Sequence, residues 1–173
     1  MTPLNLDKIN QSATYSVGCD SSGMEYRFQT QYGVQYSVAF IDDDSLLSRE
    51  SYQLIIANVN HVRAPQDIGV RDTILAIIEH FFEANNTTLL YICETGDNKQ
   101  SLSNRLFQNW FSHFQNSVFY TFISSSIVDA DGVVNYAALI IRNDNPELLE
   151  IVTEFTQTIQ LLSEKPQPYI LNN

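Results

Sequence analysis

Basic residues are scarce in this chain. Its 173 residues include 9 Lys and Arg against 20 Asp and Glu, which gives a formal net charge of −11. Because the average field of such a protein repels phosphate, we expect no nucleic-acid partner and no attraction to an anionic membrane. A basic protein would be the natural electrostatic partner, although the need for solubility explains the acidity as well.

Cysteine and long apolar runs are also scarce. The two cysteines, Cys19 and Cys93, lie far apart, so they indicate neither a disulfide framework nor a pair of metal ligands. No window approaches the roughly 18 uninterrupted apolar residues that predict a membrane span. Residues 1–10 contain no continuous apolar stretch typical of a signal peptide. We therefore expect a cytoplasmic protein.

Complete catalytic motifs are missing too. The sequence contains no H-E-x-x-H, C-x-x-C, G-x-S-x-G or Walker-type glycine loop, which argues against zinc, serine-hydrolase and nucleotide-hydrolase sites. Residues 42–44 and 129–132 carry clustered carboxylates that hard cations prefer. An acidic loop and a hairpin turn explain these two segments equally well. His61 ends a predicted strand, where a catalytic group or an ordinary polar residue would both fit.

Material for a folded core is plentiful, with 44% hydrophobic and 12% aromatic residues. The length suits one domain over residues 1–173. Residues 1–12 and 166–173 look like loosely held ends.

Alternating apolar and polar residues predict strands early in the chain. Residues 24–29 and 34–40 alternate on either side of a turn at Tyr32–Gly33, which is typical of a hairpin with one solvated face. Residues 14–18 are a further strand candidate. Residues 52–59 are apolar on both faces and predict a central strand.

A 3.6-residue apolar period predicts helices over residues 70–82, 102–114 and 148–162. The expected caps, in chain order, are Asp67 or Asp72, Ser101 or Ser103, and Asn145 followed by Pro146. Residues 89–93 predict a short inner strand between the first two helices. This strand–helix–strand unit implies a parallel pair with a right-handed crossover.

The pair Asp131–Gly132 predicts a hairpin between strands over residues 118–128 and 133–142. The element order is therefore β-β-β-β, α, β, α, β-β, α. We predict an α+β fold with a mostly antiparallel central sheet and one parallel βαβ unit.

Four of the nine basic residues lie near the two strand-to-helix junctions: Arg63, Arg71, Lys99 and Arg105. Loops at the carboxyl ends of parallel strands are where ligands bind. A helix N-terminus there can hold a phosphate, and an arginine would strengthen the site. The alternative is that these arginines are solvated and pair with nearby aspartates.

From residue 24 to residue 142 the order of elements resembles the core of the GNAT-type N-acyltransferases. In that family a Gln/Arg-x-x-Gly-x-Gly/Ala turn cradles the CoA pyrophosphate, and Gln66-Asp67-Ile68-Gly69-Val70-Arg71 partly matches it. The next helix of that family carries a second motif. Its spacing is matched here by Gln100, Ser103, Leu106-Phe107 and Trp110-Phe111. The resemblance implies CoA or acetyl-CoA as the ligand. Together with the basic cluster, it gives the candidate site Gln66, Gly69, Val70, Arg71, Lys99 and Arg105.

Four departures from the family pattern imply altered or lost catalysis. Arg71 replaces the last small residue of the phosphate turn. Phe107 stands where the family often has a tyrosine that protonates the departing thiolate, and it has no hydroxyl to give. The central strand carries Asn58, Asn60 and His61 rather than a glutamate base, and the two helices that wall the acceptor pocket are not evident.

From about Tyr36 to Pro166 the chain also resembles a small uncharacterised bacterial family. Residues 89–95, Leu106-Phe107 with Trp110-Phe111, Asn135-Tyr136 and residues 142–146 carry this resemblance, which implies no activity.

Two hypotheses follow from the sequence. The first is an acyl-CoA-binding scaffold, and the second is a non-catalytic interaction module, antitoxin-like, immunity-like or regulatory, with a basic protein partner. A homodimer is left open.

Overall fold

The computed structural model describes residues 1–93, 100–128 and 131–163. The helices within these ranges are α1 (Leu6–Ser12), α2 (Ile68–Ala84), α3 (Gln100–Ser112) and α4 (Leu148–Ser163). The strands are β1 (Val17–Cys19), β2 (Glu25–Gln29), β3 (Gln35–Asp42), β4 (Ser51–Asn58), β5 (Thr88–Cys93), β6 (Tyr120–Val128) and β7 (Val134–Arg142). A 3-10 turn, Ser117–Phe119, leads into β6.

The strands form a mixed seven-stranded sheet in the order β1-β2-β3-β4-β5-β7-β6. Strands β4 and β5 are parallel and are connected through α2, whereas the other neighbouring pairs are antiparallel. The predicted α+β class and the parallel βαβ unit are therefore confirmed. Strand β7 lies between β5 and β6, because the hairpin formed by β6 and β7 folds back onto β5.

The parallel pair separates part-way along its length. Pairing runs from Ser51 opposite Thr88 to Leu54 opposite Tyr91 and goes no further within the described residues. Strand β4 nevertheless continues to Asn58 while remaining paired with β3. Among the described residues, the second half of β4 thus pairs with a strand on one side only.

Helices pack on both faces of the sheet. On one face α2 and α3 contribute to a large apolar core that includes Ile74, Phe81 and Phe107. On the other face α4 covers β5, β6 and β7, and Phe155 lies at the centre of that core with no exposed surface. The two cores are separate because side chains of a strand alternate between faces. As an example, Leu89 belongs to the first core and Leu90 to the second.

The start of the chain differs from expectation. Instead of a loosely held end, residues 6–12 form α1, capped by the side chain of Asn5 and packed beside α2. Ile9 is fully buried, and the backbone N–H of Thr2 donates to Oδ1 of Asn85 at 2.7 Å. The segment lacks a long apolar period, so its order comes from these long-range contacts. Residues 166–173 lie outside the described ranges.

Some predicted boundaries were wrong. The first strand is Val17–Cys19 rather than residues 14–18, because Tyr15 bonds to α2 instead of to the sheet. Ser101 and Ser103, expected just before α3, lie within its range. Asp67, one of the two expected caps of α2, is the residue that caps it.

Across the part of the chain that the structure describes, no helix combines the length and apolarity needed to cross a bilayer.

Candidate functional site: a cleft at the separated ends of β4 and β5

A cavity of about 920 Å³ opens at the end of β4, beside Asn58. Its walls are the ends of β2 to β4, the loop before α2, the first turn of α2 and one face of α3. The lining residues used below are Tyr32, Tyr36, Asn58, His61, Arg63, Gln66, Asp67, Val70, Arg71, Leu106 and Trp110. The volume is in the range of small-molecule sites.

The backbone of β4 faces this opening at alternate residues. The N–H of Val59 donates to the carbonyl oxygen of Gln35 at 2.8 Å, so odd-numbered residues of β4 bond to β3. The N–H and carbonyl groups of Ile56 and Asn58 therefore point away from β3, towards the side where β5 no longer pairs. A ligand with amide groups could bond to them as a further strand would.

Asn58 adds a buried acceptor that has no partner among the described residues. Its amide nitrogen donates to the carbonyl oxygen of Val62 at 2.9 Å, but its buried side-chain oxygen accepts no hydrogen bond from them. A buried carbonyl oxygen without a donor costs about 1–3 kcal/mol. In a cleft lining, a ligand N–H or an ordered water would remove that cost.

The loop that follows β4 is strained at His61. This residue has a φ of 55°, and it is the one non-glycine residue with positive φ among those described. Such a conformation is uncommon for a residue other than glycine and is found preferentially at functional sites. The strain places the exposed imidazole in the wall of the cleft.

The cleft combines cationic and aromatic side chains. Arg63 is exposed and forms no ion pair with any described residue, whereas Arg71 is half-buried and its Nε lies 2.9 Å from Oδ1 of Asp72. Tyr32, Tyr36 and Trp110 line the same space. Burial raises the pKa of Tyr36, so its hydroxyl stays protonated at neutral pH. Flat rings beside guanidinium groups suit a ligand that has an aromatic ring and an anionic group.

The N-terminus of α2 is already occupied by a carboxylate of the protein, that of Asp67. The Asp67 carboxylate accepts from the backbone N–H of Gly69 at 2.8 Å and from the hydroxyl of Tyr15 at 2.5 Å. A Cβ on Gly69 would lie 2.8 Å from Tyr15 and 2.9 Å from Thr14. Gly69 is therefore required for close packing against the segment before β1. A phosphate placed on this helix end would meet the Asp67 carboxylate.

The predicted site residues are only partly brought together. Gln66, Val70 and Arg71 line the cleft, and Gly69 is buried behind them against Tyr15. Arg105 is exposed on α3 and does not line the cleft, whereas Leu106 and Trp110 do. Lys99 lies outside the described residues.

Phe107, which takes the position of the tyrosine acid in the GNAT resemblance, is a core residue. It is 2% exposed, and its ring centroid lies 4.3 Å from that of Tyr91. No hydroxyl reaches the cleft from this position.

Several cleft residues were not singled out from the sequence as ligand contacts. Tyr36 and Asn58 have the ordinary alternation of strand residues, and Trp110 has the apolar period of a core helix. Only the separation of β4 from β5 exposes these residues to a cavity. The positive φ of His61 has no signature in a single sequence.

The acidic segment 42–44 is engaged within its own loop. Oδ1 of Asp43 accepts from both the N–H and the hydroxyl of Ser45, at 2.8 and 2.7 Å. Of the residues placed in the structure, no group of three or more His, Cys, Asp or Glu is arranged to hold a metal ion.

Residues 66–157 match the family described as "Family of unknown function (DUF6169)". The match covers a little over half of the chain. The chain belongs to this family. The expected resemblance to an uncharacterised family is confirmed, and the DUF6169 description brings no activity with it. No curated protein matches the chain.

The DUF6169 segment contains one wall of the cleft and not the other. It begins at Gln66 and includes α2, β5, α3 and most of α4. The opposite wall, from Thr30 to Pro65, precedes it. The cleft is therefore built jointly by the family segment and by the β2–β4 unit that precedes it in the chain.

Proposed function

We propose that the cleft binds an acyl-CoA-type ligand. The observation that carries the proposal is Asn58, which lines a cavity of about 920 Å³ in the half of β4 that pairs with no described residue of β5, so that its outward N–H and carbonyl groups can bond to a ligand. A pantetheine chain contains two amides, and these can bond to a strand edge.

The remaining chemistry of the cleft fits the other end of such a ligand. Arg63 and Arg71 supply charge for phosphates, and Tyr32 and Trp110 supply flat surfaces for an adenine ring. Since Asp67 occupies the end of α2, we place the phosphates beside the two arginines rather than on the helix N-terminus. The proposal concerns binding and assigns no reaction, because Phe107 cannot donate a proton.

Calorimetric titration with CoA and acetyl-CoA tests the proposal. We expect micromolar affinity, about 8 kcal/mol of binding free energy. Separate titrations with pantetheine and with ADP test the two parts of the site individually. We expect pantetheine binding to depend on β4 and ADP binding to depend on Arg63 and Arg71.

Charge-reversal variants give the matched comparison. Arg71→Glu should weaken CoA binding at least tenfold without unfolding the protein, because an acidic residue is favourable in the first turn of a helix. Arg27→Glu makes the same charge change outside the cleft, on an exposed side chain of β2, and should bind as wild type does. No heat at millimolar CoA would refute the proposal, and equal affinity of both variants would refute the site.

An uncovered face of the sheet favours a second candidate function, binding of a basic protein. Ile41, Ile55 and Val59 are 49%, 36% and 42% exposed, on the face of β3 and β4 opposite to α2. Asp42, Asp43 and Asp44 follow at the end of β3. Salt-sensitive capture of one basic protein that is lost in Ile55→Lys and retained in Arg71→Glu would support this function over CoA binding.

A further inference from the structure

We propose that two copies of this chain join through strand β6, edge to edge and antiparallel, to form one continuous sheet. The inference is independent of the ligand cleft. Strand β6 is the outer strand of the sheet beside β7, and it has nine residues, Tyr120–Val128. The opposite edge, β1, has three residues.

The register of β6 shows which of its backbone groups are free. The N–H of Asn143 donates to the carbonyl oxygen of Phe119 at 2.9 Å, so odd-numbered residues bond to β7. The N–H and carbonyl groups of the even-numbered residues, from Tyr120 to Val128, therefore point outward. Only at Ser126 does a described side chain reach this edge, where the carbonyl oxygen accepts from the Ser163 hydroxyl at 3.5 Å.

Strand β6 lacks the charged residues and the proline by which proteins commonly protect an edge. Its sequence, YTFISSSIV, contains no charged residue and no proline. Long edge strands normally carry lysine or proline to prevent pairing with another chain. In a protein with a net charge of −11, an uncharged edge is also the place where two copies can approach with least repulsion.

Apolar side chains lie at both ends of this edge. Val118 and Phe119, just before β6, are 73% and 63% exposed. At the other end Leu161 and Leu162, which precede Ser163, are 70% and 50% exposed. A twofold axis perpendicular to the sheet, near the centre of β6, makes the two copies of β6 antiparallel. The start of β6 in one copy then lies beside the end of β6 in the other. The two apolar ends would then cover each other, as a self-complementary interface requires.

The oligomeric state of the full chain tests the proposal. Light scattering after gel filtration should give the mass of a dimer for the wild type. Ser126→Lys places a charge on an exposed residue of the edge and should give a monomer. Ser21→Lys makes the same substitution at an exposed position of the β1–β2 turn and should remain dimeric. A monomeric wild type, or a dimer that both variants retain, would overturn the proposal.

Amide hydrogen exchange identifies the interface directly. In the dimer the amides of Phe122 and Ser124 should exchange at least tenfold more slowly than in Ser126→Lys, whereas those of Ile123 and Ser125 are protected by β7 in both. A dimer with fast exchange at Phe122 and Ser124 pairs elsewhere and contradicts the proposal. Protection of these amides in a monomer would show that another part of the same chain occupies the edge, and would also contradict it.

Discussion

The Tyr15 hydroxyl donates a hydrogen bond of 2.5 Å to Oδ2 of Asp67, the residue that caps α2. The backbone N–H of Tyr15 also donates to Oγ1 of Thr73, one turn into the helix, at 3.1 Å. The hydrogen bond to Asp67 raises the pKa of Tyr15. The segment before β1 thus holds the start of α2, which forms one wall of the cleft.

Gly69 is the position where this contact allows no side chain. Gly69→Ala would place a methyl group 2.8 Å from Tyr15 and 2.9 Å from Thr14, and Tyr15 is held at both its backbone and its hydroxyl. We expect a loss of about 1–3 kcal/mol in the free energy of unfolding, as is usual for overpacking. Urea denaturation measures it. Gly18→Ala is the control, because a Cβ there meets nothing within 4 Å, and it should not destabilise the protein. Equal effects of the two substitutions would disprove the packing role of Gly69.

The left-handed conformation of His61 predicts an unusual ranking of variants. Glycine adopts a φ of 55° without strain, but it costs about 0.5–1 kcal/mol through the entropy of the unfolded chain. His61→Gly should therefore change the free energy of unfolding by less than about 1 kcal/mol. His61→Val should be less stable than His61→Gly by about 1–2 kcal/mol, because a branched side chain disfavours this region. Chemical denaturation measures the free energy of unfolding of the two variants. Equal values would contradict the prediction that the positive φ disfavours a branched side chain at this position.

Glu154 predicts a loss of stability in acid. Hydrogen bonds from Ser48, with the Arg49 guanidinium nearby, hold the pKa of Glu154 below its usual value of 4.5. A carboxylate with a lowered folded-state pKa stabilises the protein above its unfolded pKa, and this stabilisation is lost as the pH falls through the folded value. Glu154→Gln should therefore be less stable than wild type at pH 7, and the difference should shrink as the pH falls below 4.5.

Urea unfolding of wild type and Glu154→Gln between pH 7 and pH 3.5 measures this difference. Glu147→Gln is the matched control. Its carboxylate also contacts Arg49, at 3.0 Å, but the side chain is 53% exposed, so we expect an effect of at most about 1 kcal/mol. A pH-independent difference for Glu154→Gln would contradict the prediction.

Buried tyrosines predict a loss of stability in alkali. Burial raises the pKa of Tyr26 and of Tyr120 to about 12, from an ordinary value of 10.0. A raised folded-state pKa stabilises the protein fully below pH 10, and this contribution is lost as the pH rises towards 12. Near-ultraviolet absorbance during an alkaline titration should show a late tyrosine fraction that ionises together with unfolding. Titration of all tyrosines near pH 10 without unfolding would disprove the assignment.

Tyr26→Phe separates ionisation from hydrogen bonding. The Tyr26 hydroxyl accepts from the N–H of Leu4 at 3.1 Å and donates to the carbonyl oxygen of Gly23 at 2.9 Å. The variant should lose about 1–3 kcal/mol at neutral pH, because the buried N–H of Leu4 and the half-buried carbonyl of Gly23 lose a partner. It should also lose less stability than wild type between pH 10 and pH 12.

Local patterns in the sequence explain how much of the fold could be predicted. The alternation in residues 34–40 predicts β3, and the apolar period from Val70 to Phe82 predicts α2, because each pattern reflects which face of one element is buried. The strand–helix–strand order around α2 was enough to predict that β4 and β5 are parallel. Helix α1 was missed because seven residues give too short a period, and long-range contacts of Ile9 and Thr2 hold it.

The candidate site was only partly predictable for a related reason. Gln66 and Arg71 follow from the position of the junction before α2, which is a local feature. Asn58 and Trp110 come from different elements, and they share a cavity only because β4 and β5 separate after Leu54. The sequence indicated Asp67 as one of two candidate caps. Its hydrogen bond with the Tyr15 hydroxyl joins residues far apart in the sequence and forms only in the folded chain.

The sequence by itself determined the α+β class, the parallel βαβ unit, the acidic charge and membership of a family whose function is unknown. These properties depend on composition and on periodicities within single elements. Tertiary structure alone decided that β7 inserts beside β5, that β4 and β5 separate after Leu54, that Asp67 occupies the end of α2, and that β6 is the outer strand of the described sheet. Each of these depends on which distant segments pair, and pairing is set by the packing of the whole core rather than by any one stretch of residues.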